Sequence, residues 1–267
     1  MMTTIDSQKP TEVNKLQLEE LLNDDDYVMS QKHDGHRVII STAPVSAYSK
    51  HGERRDIPRR LARAMETIDG HYVFDGELIG SSYLVFDLIE IPQGDIRTRS
   101  WEVRQTLLEA IAPALPAPVR RVLQFESPLD KREIFDKCVK SGVEGVIFAK
   151  RHATYRGGKK NRNLLKYKFI KQVDCVVTDK GLDGKDNLEL SVYDEHGTLV
   201  EVGRVSALQG DGPKVQINDV VTINCLYATK DLRVFHPNTP RIRTDKPATE
   251  CTIDQLQVII KQDEVIT

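Results

Sequence analysis

Apolar positions along this chain follow two rhythms, and the change between them divides it. Leu16, Leu18, Leu21 and Leu22 suggest a short, weakly patterned helix ending at Asp24-Asp25-Asp26. Alternation and β-branched residues at Tyr27-Val28-Met29-Ser30 and at Arg37-Val38-Ile39-Ile40 predict two strands flanking a tight loop that carries Lys32. Val45 to Ser49 predicts another strand, turning at His51-Gly52-Glu53. Leu61, Ala64, Met65 and Ile68 recur at helical spacing behind Pro58, a residue that opens helices. Strands are expected at His71–Phe74, Tyr83–Leu88, Val143–Ala149 and Leu164–Phe169, and amphipathic helices at Trp101–Ala112 and Lys131–Ser141. No regular βαβ rhythm emerges, so the expected fold is α+β on antiparallel sheets.

From about residue 171 the pattern becomes short β runs only: Asp174–Thr178, Leu188–Tyr193, Leu199–Val205 and Val220–Tyr227. Turn formers separate them, including Gly181-Leu182-Asp183-Gly184, Glu195-His196-Gly197 and Gly210-Asp211-Gly212-Pro213. Roughly five strands in so short a stretch suit a small all-β barrel of the OB-fold kind. The expected organisation is an N-terminal extension (1–26), an α+β domain (27–170) and an OB-fold domain (171–267).

Composition narrows the class. With 267 residues, 39% hydrophobic and 29% charged, the chain is an ordinary globular one. No apolar run is long enough to cross a bilayer, and the N-terminus lacks a basic-then-apolar signal pattern, so the expected location is the cytoplasm or nucleoid. Cys138, Cys175, Cys225 and Cys251 are far apart and form no Cys-x-x-Cys pair, which argues for buried free thiols over a zinc site or disulfides. A net charge of −2 excludes a globally basic nucleic-acid binder but leaves room for local basic patches.

Those patches adjoin candidate chemistry. A lysine is a poor nucleophile at neutral pH unless something lowers its pKa or holds it in line with the electrophile. In Gln31-Lys32-His33-Asp34-Gly35-His36-Arg37, Gly35 gives the backbone room and Arg37 adds a fixed cation with a fork of donors. Phe74-Asp75-Gly76-Glu77-Leu78 sets a glutamate after a strand and a glycine, and Phe86 is an aromatic able to stack on a base. Val143-Glu144-Gly145 supplies a second carboxylate, and Lys166 and Lys168 share one face of a strand by period-two spacing. Singly these read as a surface turn, solvated carboxylates, core aromatic and edge-strand lysines. In order, they make the set that nucleotidyl transfer needs: nucleophile, stacking ring, phosphate cations, and carboxylates for ribose and Mg²⁺.

That order resembles the ATP-dependent DNA ligases, within the covalent nucleotidyltransferases, from about Tyr27 to Lys246. Lys32, Asp34, Gly35 and Arg37 match the Lys-x-Asp-Gly-x-Arg motif, and Ser49-Lys50-His51-Gly52 resembles the segment after it. Pro240-Arg241-Ile242-Arg243-Thr244-Asp245-Lys246, entered through Phe235-His236-Pro237, resembles the OB-domain motif that closes over ATP. The resemblance implies an ATP-grasp-like nucleotidyltransferase domain followed by an OB-fold, in a near-minimal ligase of the size found in viruses and beside other ligases in bacteria. It implies Lys32 as the nucleophile that takes AMP from ATP, with Asp34, Arg241 and Lys246 assisting. Arg37 and Glu77 would hold the ribose, Phe86 the adenine, and Lys166 and Lys168 the α-phosphate. Glu144, with Glu77, would bind Mg²⁺ or Mn²⁺. Where many relatives have an acidic residue two positions before the lysine, this chain has Ser30, so the adenine amino contact is expected from backbone or Gln31.

Residues 150–171 hold nine Lys and Arg and no acid. Arg151, Arg156, Lys159, Lys160 and Arg162, with Gly157-Gly158 for close approach, are expected to grip phosphates of a nicked duplex DNA, as are Lys50, Arg54 and Arg55; Arg59 and Arg60 extend that second cluster. The protein is expected to act as a monomer. Competing readings are an RNA ligase, an mRNA-capping guanylyltransferase, and a non-catalytic OB-type nucleic-acid-binding protein.

Overall fold

The structure, a computed structural model, describes residues 6–158, 160–207 and 214–260; Lys159 and the turn expected at 210–213 lie outside the described residues. The chain forms two compact units. One comprises the residues up to Cys138 and Gly145–Tyr167, the other Val139–Glu144 and the chain from Lys168 on.

In the first unit the strand β1 (Lys9–Glu12) leads to helix α1 (Lys15–Asn23), then β2 (Tyr27–Lys32), β3 (His36–Thr42) and β4 (Val45–Ser49). Helix α2 (Arg59–Glu66) follows, then β5 (Val73–Ile79), β6 (Ser82–Ile91), β7 (Gly94–Asp95), α3 (Trp101–Ile111) and β8 (Val119–Arg121). Helix α4 (Pro128–Ser141), β9 (Gly145–Lys150) and β10 (Lys160–Lys168) complete the series. A six-stranded sheet has the order β4-β3-β5-β6-β7 with β8 beside β6, and a four-stranded sheet the order β1-β10-β9-β2. Pairing is mainly antiparallel, with β1–β10 and β6–β8 parallel. Alternate residues of the larger sheet, among them Val38, Ile40, Phe74 and Val85, are buried with Leu61 and Met65 of α2 and Leu108 of α3.

Two devices fix the approach to β2. Asn14 caps α1, accepting from the Gln17 amide (3.0 Å), while Gln17 accepts from the Asn14 amide (3.1 Å), a capping box. At the other end the fully buried Lys131 of α4 donates to the carbonyls of Leu21 (3.2 Å), Asp24 (2.7 Å) and Tyr27 (3.1 Å). A cation among helix-terminal carbonyls satisfies acceptors that the helix cannot pair itself. It fixes the first residue of β2.

The second unit is β11 (Lys171–Lys180), β12 (Asn187–Tyr193), β13 (Leu199–Ser206), β14 (Val220–Cys225), the hairpin β15 (Tyr227–Ala228) and β16 (Val234–Phe235), β17 (Asn238–Ile242) and the short α5 (Asp254–Gln257). Its five-stranded sheet has the order β13-β12-β11-β14-β17, antiparallel throughout. Val173, Val177, Leu190, Val192, Val202, Val221 and Ile223 form its core. All four cysteines are buried free thiols. Among the described residues, no helix is long and apolar enough to cross a membrane.

The elements depart from the sequence expectation in several places: β7 and β8 were not expected, and β5 runs on past Phe74 so that Glu77 lies within it. Lys32 is the last residue of β2 and not part of a loop, and β2 and β3, expected as neighbours, lie in different sheets. β10 begins at Lys160, inside the stretch expected to be a phosphate-gripping loop. β1 and β17 were not expected, since each contains a proline and little alternation, and each lies at a sheet edge where a missing N–H does no harm.

Candidate active site

The site is built outward from the end of β2. Lys32 pairs in register with Gly145, and Gln31 with Val146. Successive side chains of a strand point to opposite faces. Ser30 and Lys32, both half-buried, therefore share one face, and the buried Gln31 lies on the other with Met29. The turn that follows, carrying Asp34, packs on β5: a Cβ on Gly35 would come within 2.6 Å of the Leu78 carbonyl oxygen and 3.0 Å of Glu77 Cγ. Glycine is required there for space, and the close approach brings the Lys32 turn against Glu77.

Glu77 lies directly across from Arg37 in the β3–β5 pairing. Arg37 donates from Nε to Asp75 Oδ1 (2.9 Å), from Nη2 to Asp75 Oδ2 (2.6 Å) and from Nη1 to the Gln8 carbonyl (2.7 Å). Burial opposes its charge, but the Asp75 carboxylate outweighs this and raises the guanidinium above its ordinary value. The same guanidinium lies over the Phe86 ring, 4.9 Å from its centroid. Arg37, Glu77 and Phe86 are thus brought together, but the Arg37 fork, expected on ribose, is directed at Asp75. Phe86 is half-buried, neither sealed in the core nor bare.

Beneath this lies a buried polar layer that sequence reading missed. Tyr155 Oη donates to Asp75 Oδ2 (2.6 Å), and Arg104 donates from Nε and Nη2 to the two oxygens of Asp87, each at 2.8 Å. Gln105 Nε2 donates to the Phe86 carbonyl (2.9 Å). The available signal was an aspartate inside each of two apolar strands, at Asp75 and Asp87, since a buried carboxylate needs a partner.

The basic residues divide. Arg151 is bound to protein, donating to the Asp25 carbonyl (2.7 Å) and pairing with Glu126 (3.0 Å) and Glu102 (3.6 Å), which removes it from the expected phosphate grip. Gly157 packs against chain: a Cβ there would meet the Asp6 carbonyl oxygen at 2.1 Å, and Gly158 N donates to Ser7 O (3.1 Å). The close approach expected toward phosphates is made to residues 6 and 7. Lys50, Arg54, Arg59, Arg60, Arg156, Lys160 and Arg162 are exposed and Arg55 half-buried. Lys166 pairs with Glu12 at 3.5 Å.

In the second unit the buried Glu144 pairs with Lys168 at 3.0 Å. Arg241 is exposed on β17, opposite Thr222. Lys246, expected over ATP, donates to Asp174 Oδ2 (2.7 Å), and Thr222 Oγ1 donates to Asp174 Oδ1. Burial raises the Asp174 carboxyl, the hydrogen bonds from Lys246 and Thr222 lower it by more, and it ends below the usual carboxylate range. A depressed folded value gives stability that is present above the unfolded carboxylate value of about 4 and lost as pH falls through the folded one. Asp174→Asn should therefore flatten the loss of unfolding free energy below about pH 4 in denaturant titrations. An acid limb identical to wild type would contradict this.

A strand-end lysine, a carboxylate beside its turn and a cation-backed aromatic thus lie in a mixed sheet-and-helix unit, which an all-β unit follows along the chain. Residues 78–168 match the ATP dependent DNA ligase domain. DNA ligase C2 of Mycolicibacterium smegmatis is 30% identical over 216 residues, covering 66% of this chain and 60% of that protein. A probable DNA ligase of Dictyoglomus turgidum is 28% identical over 151 residues, 51% of this chain and 25% of that one. The chain thus spans less than two thirds of the length of these relatives. Among solved structures, a Lig E DNA ligase superposes with a TM-score of 0.66 at 18% identity, covering 90% of this chain and 100% of that one. Mycobacterial DNA ligase D complexed with ATP gives 0.57 at 20%, covering 93% and 98%. The chain is thus similar to ATP-dependent DNA ligases, over residues 78–168 for the ligase domain and over 216 residues for DNA ligase C2.

Proposed function

We propose that this chain seals nicks in duplex DNA through a covalent lysyl-AMP intermediate. The observation that carries the reading is Lys32 at the end of β2, its turn packed on Glu77, whose cross-strand neighbour Arg37 backs Phe86. Lys32 Nζ forms a bond to the α-phosphorus of ATP as the bond to pyrophosphate breaks, and the amine proton is released. Phe86 stacks on adenine and Glu77 accepts from the ribose hydroxyls. Lys166 and Lys168 face the α-phosphate, and Asp34, Arg241 and Lys246 assist the departure of pyrophosphate. AMP then passes from Lys32 to the 5′-phosphate of the nick, and the 3′-hydroxyl displaces it to form the phosphodiester. Dividing the transfer in this way leaves AMP as the leaving group of the joining step.

Among the described residues no group of three or more His, Cys, Asp or Glu is disposed to hold a metal. Mg²⁺ (or Mn²⁺) is taken by one or two carboxylates together with nucleotide phosphates. Glu144, with Glu77, supplies such hard oxygen donors. When bound, the ion neutralises phosphate charge. The antiparallel five-stranded second unit, which contains Arg241 and Lys246, is read as an OB-fold.

Incubation with Mg²⁺ and nucleotide labelled at the α-phosphate tests this. Stable label from ATP, followed by joining of nicked DNA, is the expected result; label from GTP alone would point to capping, and joining of nicked RNA alone to an RNA ligase. Binding to nicked DNA through Lys50, Arg54, Arg55, Arg156, Lys160 and Arg162 should weaken steeply with added salt, because each phosphate contact releases a counterion. A flat salt response would remove the basic residues from the interface.

A further inference from the structure

The nucleotide reading uses Arg37 and Phe86 but leaves unexplained why so much buried structure converges on Arg37. Asp75 is fully buried, and its carboxylate accepts three donors: two from Arg37 and the Tyr155 hydroxyl. Burial pushes the Tyr155 phenol well above its ordinary value, and the Asp75 charge pushes the same way, so the hydroxyl stays a donor at working pH. The remaining contact of Arg37 is the carbonyl of Gln8. Gln8 is itself anchored at both ends: its amide donates toward Tyr155 Oη (3.4 Å), and its side-chain oxygen accepts from Asn161 Nδ2 and from the Arg156 amide (3.3 Å). Gly158 holds the preceding residue, Ser7, through its carbonyl. The N-terminal segment is thus seated along residues 155–161, and its placement fixes one of the three contacts of the guanidinium.

We infer that Tyr155 and Gln8 are positioning residues for nucleotide binding, fixing Asp75 and Arg37 so that the guanidinium stays over Phe86, the ring proposed to stack on the base. The inference rests on the adenylation reading above and extends it to an N-terminal segment outside the recognised motifs. An arginine side chain has several rotatable bonds, and a cation–π contact holds only while the planar group stays over the ring. Asp75 and the Gln8 carbonyl supply that restraint. Tyr155 and the Gln8 side chain supply it to them. Neither residue touches ATP in this scheme, so both act on nucleotide affinity and leave the attack by Lys32 intact.

The test is the rate of self-labelling of the full chain by α-labelled ATP over a range of ATP concentrations. Tyr155→Phe should raise the half-saturating ATP concentration about tenfold, the size expected for a buried acceptor that loses a donor, with the saturating rate unchanged. Gln8→Ala should move the same parameter in the same direction. The double variant should fall short of the product of the two, since both act through Arg37. Loss of folded protein would lower the labelled amplitude without moving half-saturation, which separates a structural role from a positioning one. Unchanged half-saturation in both single variants, beside a wild type that labels, overturns the positioning inference alone. A wild type that takes no label overturns the adenylation reading and this inference with it.

Discussion

Arg104→Met should destabilise the first unit by about 3–5 kcal/mol, the range for removing one partner of a buried ion pair. Arg104 and Asp87 have side chains only 1% and 5% exposed, and the two-pronged bond between them spans α3 and β6. The guanidinium also donates to the Arg99 carbonyl (2.7 Å), so its loss leaves a carboxylate and a carbonyl unsatisfied. The cost is one of stranding and not of lost attraction. Replacing both residues, Asp87→Leu with Arg104→Met, should recover most of the stability, because no buried charge then remains. Denaturant unfolding measures both variants. A loss under about 1 kcal/mol in Arg104→Met, the scale of a surface pair, would show that the pair is solvated and does not support the sheet. Because Asp87 follows Phe86, the single variant should also weaken ATP binding, which the double variant need not restore.

The second large effect is on chemistry. Lys32→Ala should abolish covalent nucleotide labelling outright, while ATP binding and thermal stability stay near wild type. Lys32 is half-buried at a strand end, and its backbone pairing with Gly145 does not depend on the side chain. Lys32→Arg should be equally dead, although it keeps the positive charge, because a guanidinium stays protonated and has no amine lone pair to offer phosphorus. A charge-stabilising role for Lys32 would predict substantial activity in Lys32→Arg. That contrast separates nucleophile from electrostatic support.

Much of this arrangement was legible from local pattern. Alternation located β3, β6, β11, β12, β13 and β14 and the start of β5, because each has one buried and one open face or a wholly buried run. Lys32, Glu77 and Phe86 stand in strands, and Glu144 immediately before one. What escaped depends on contacts between distant residues. Tyr155 meets Asp75 across 80 positions, and Lys131 reaches Leu21 across 110. No periodicity encodes such pairs. Lys32 was taken for a loop residue because the glycine and polar residues after it read as a turn, whereas β2 extends through it. Arg151 and Gly157 were misread for a related reason. A basic, glycine-containing run suits phosphate and also suits packing on acidic side chains and carbonyls, and here Glu102, Glu126, Asp25 and Asp6 are the partners.

The central claim is that a single side chain carries the nucleotide. Intact-mass measurement after incubation with ATP and Mg²⁺, followed by peptide mapping, tests it most directly. One AMP per chain, on the peptide that contains Lys32 and lost on addition of pyrophosphate, is the predicted result. An adduct on any other residue, or an unmodified chain under conditions where ATP binds, would contradict the account.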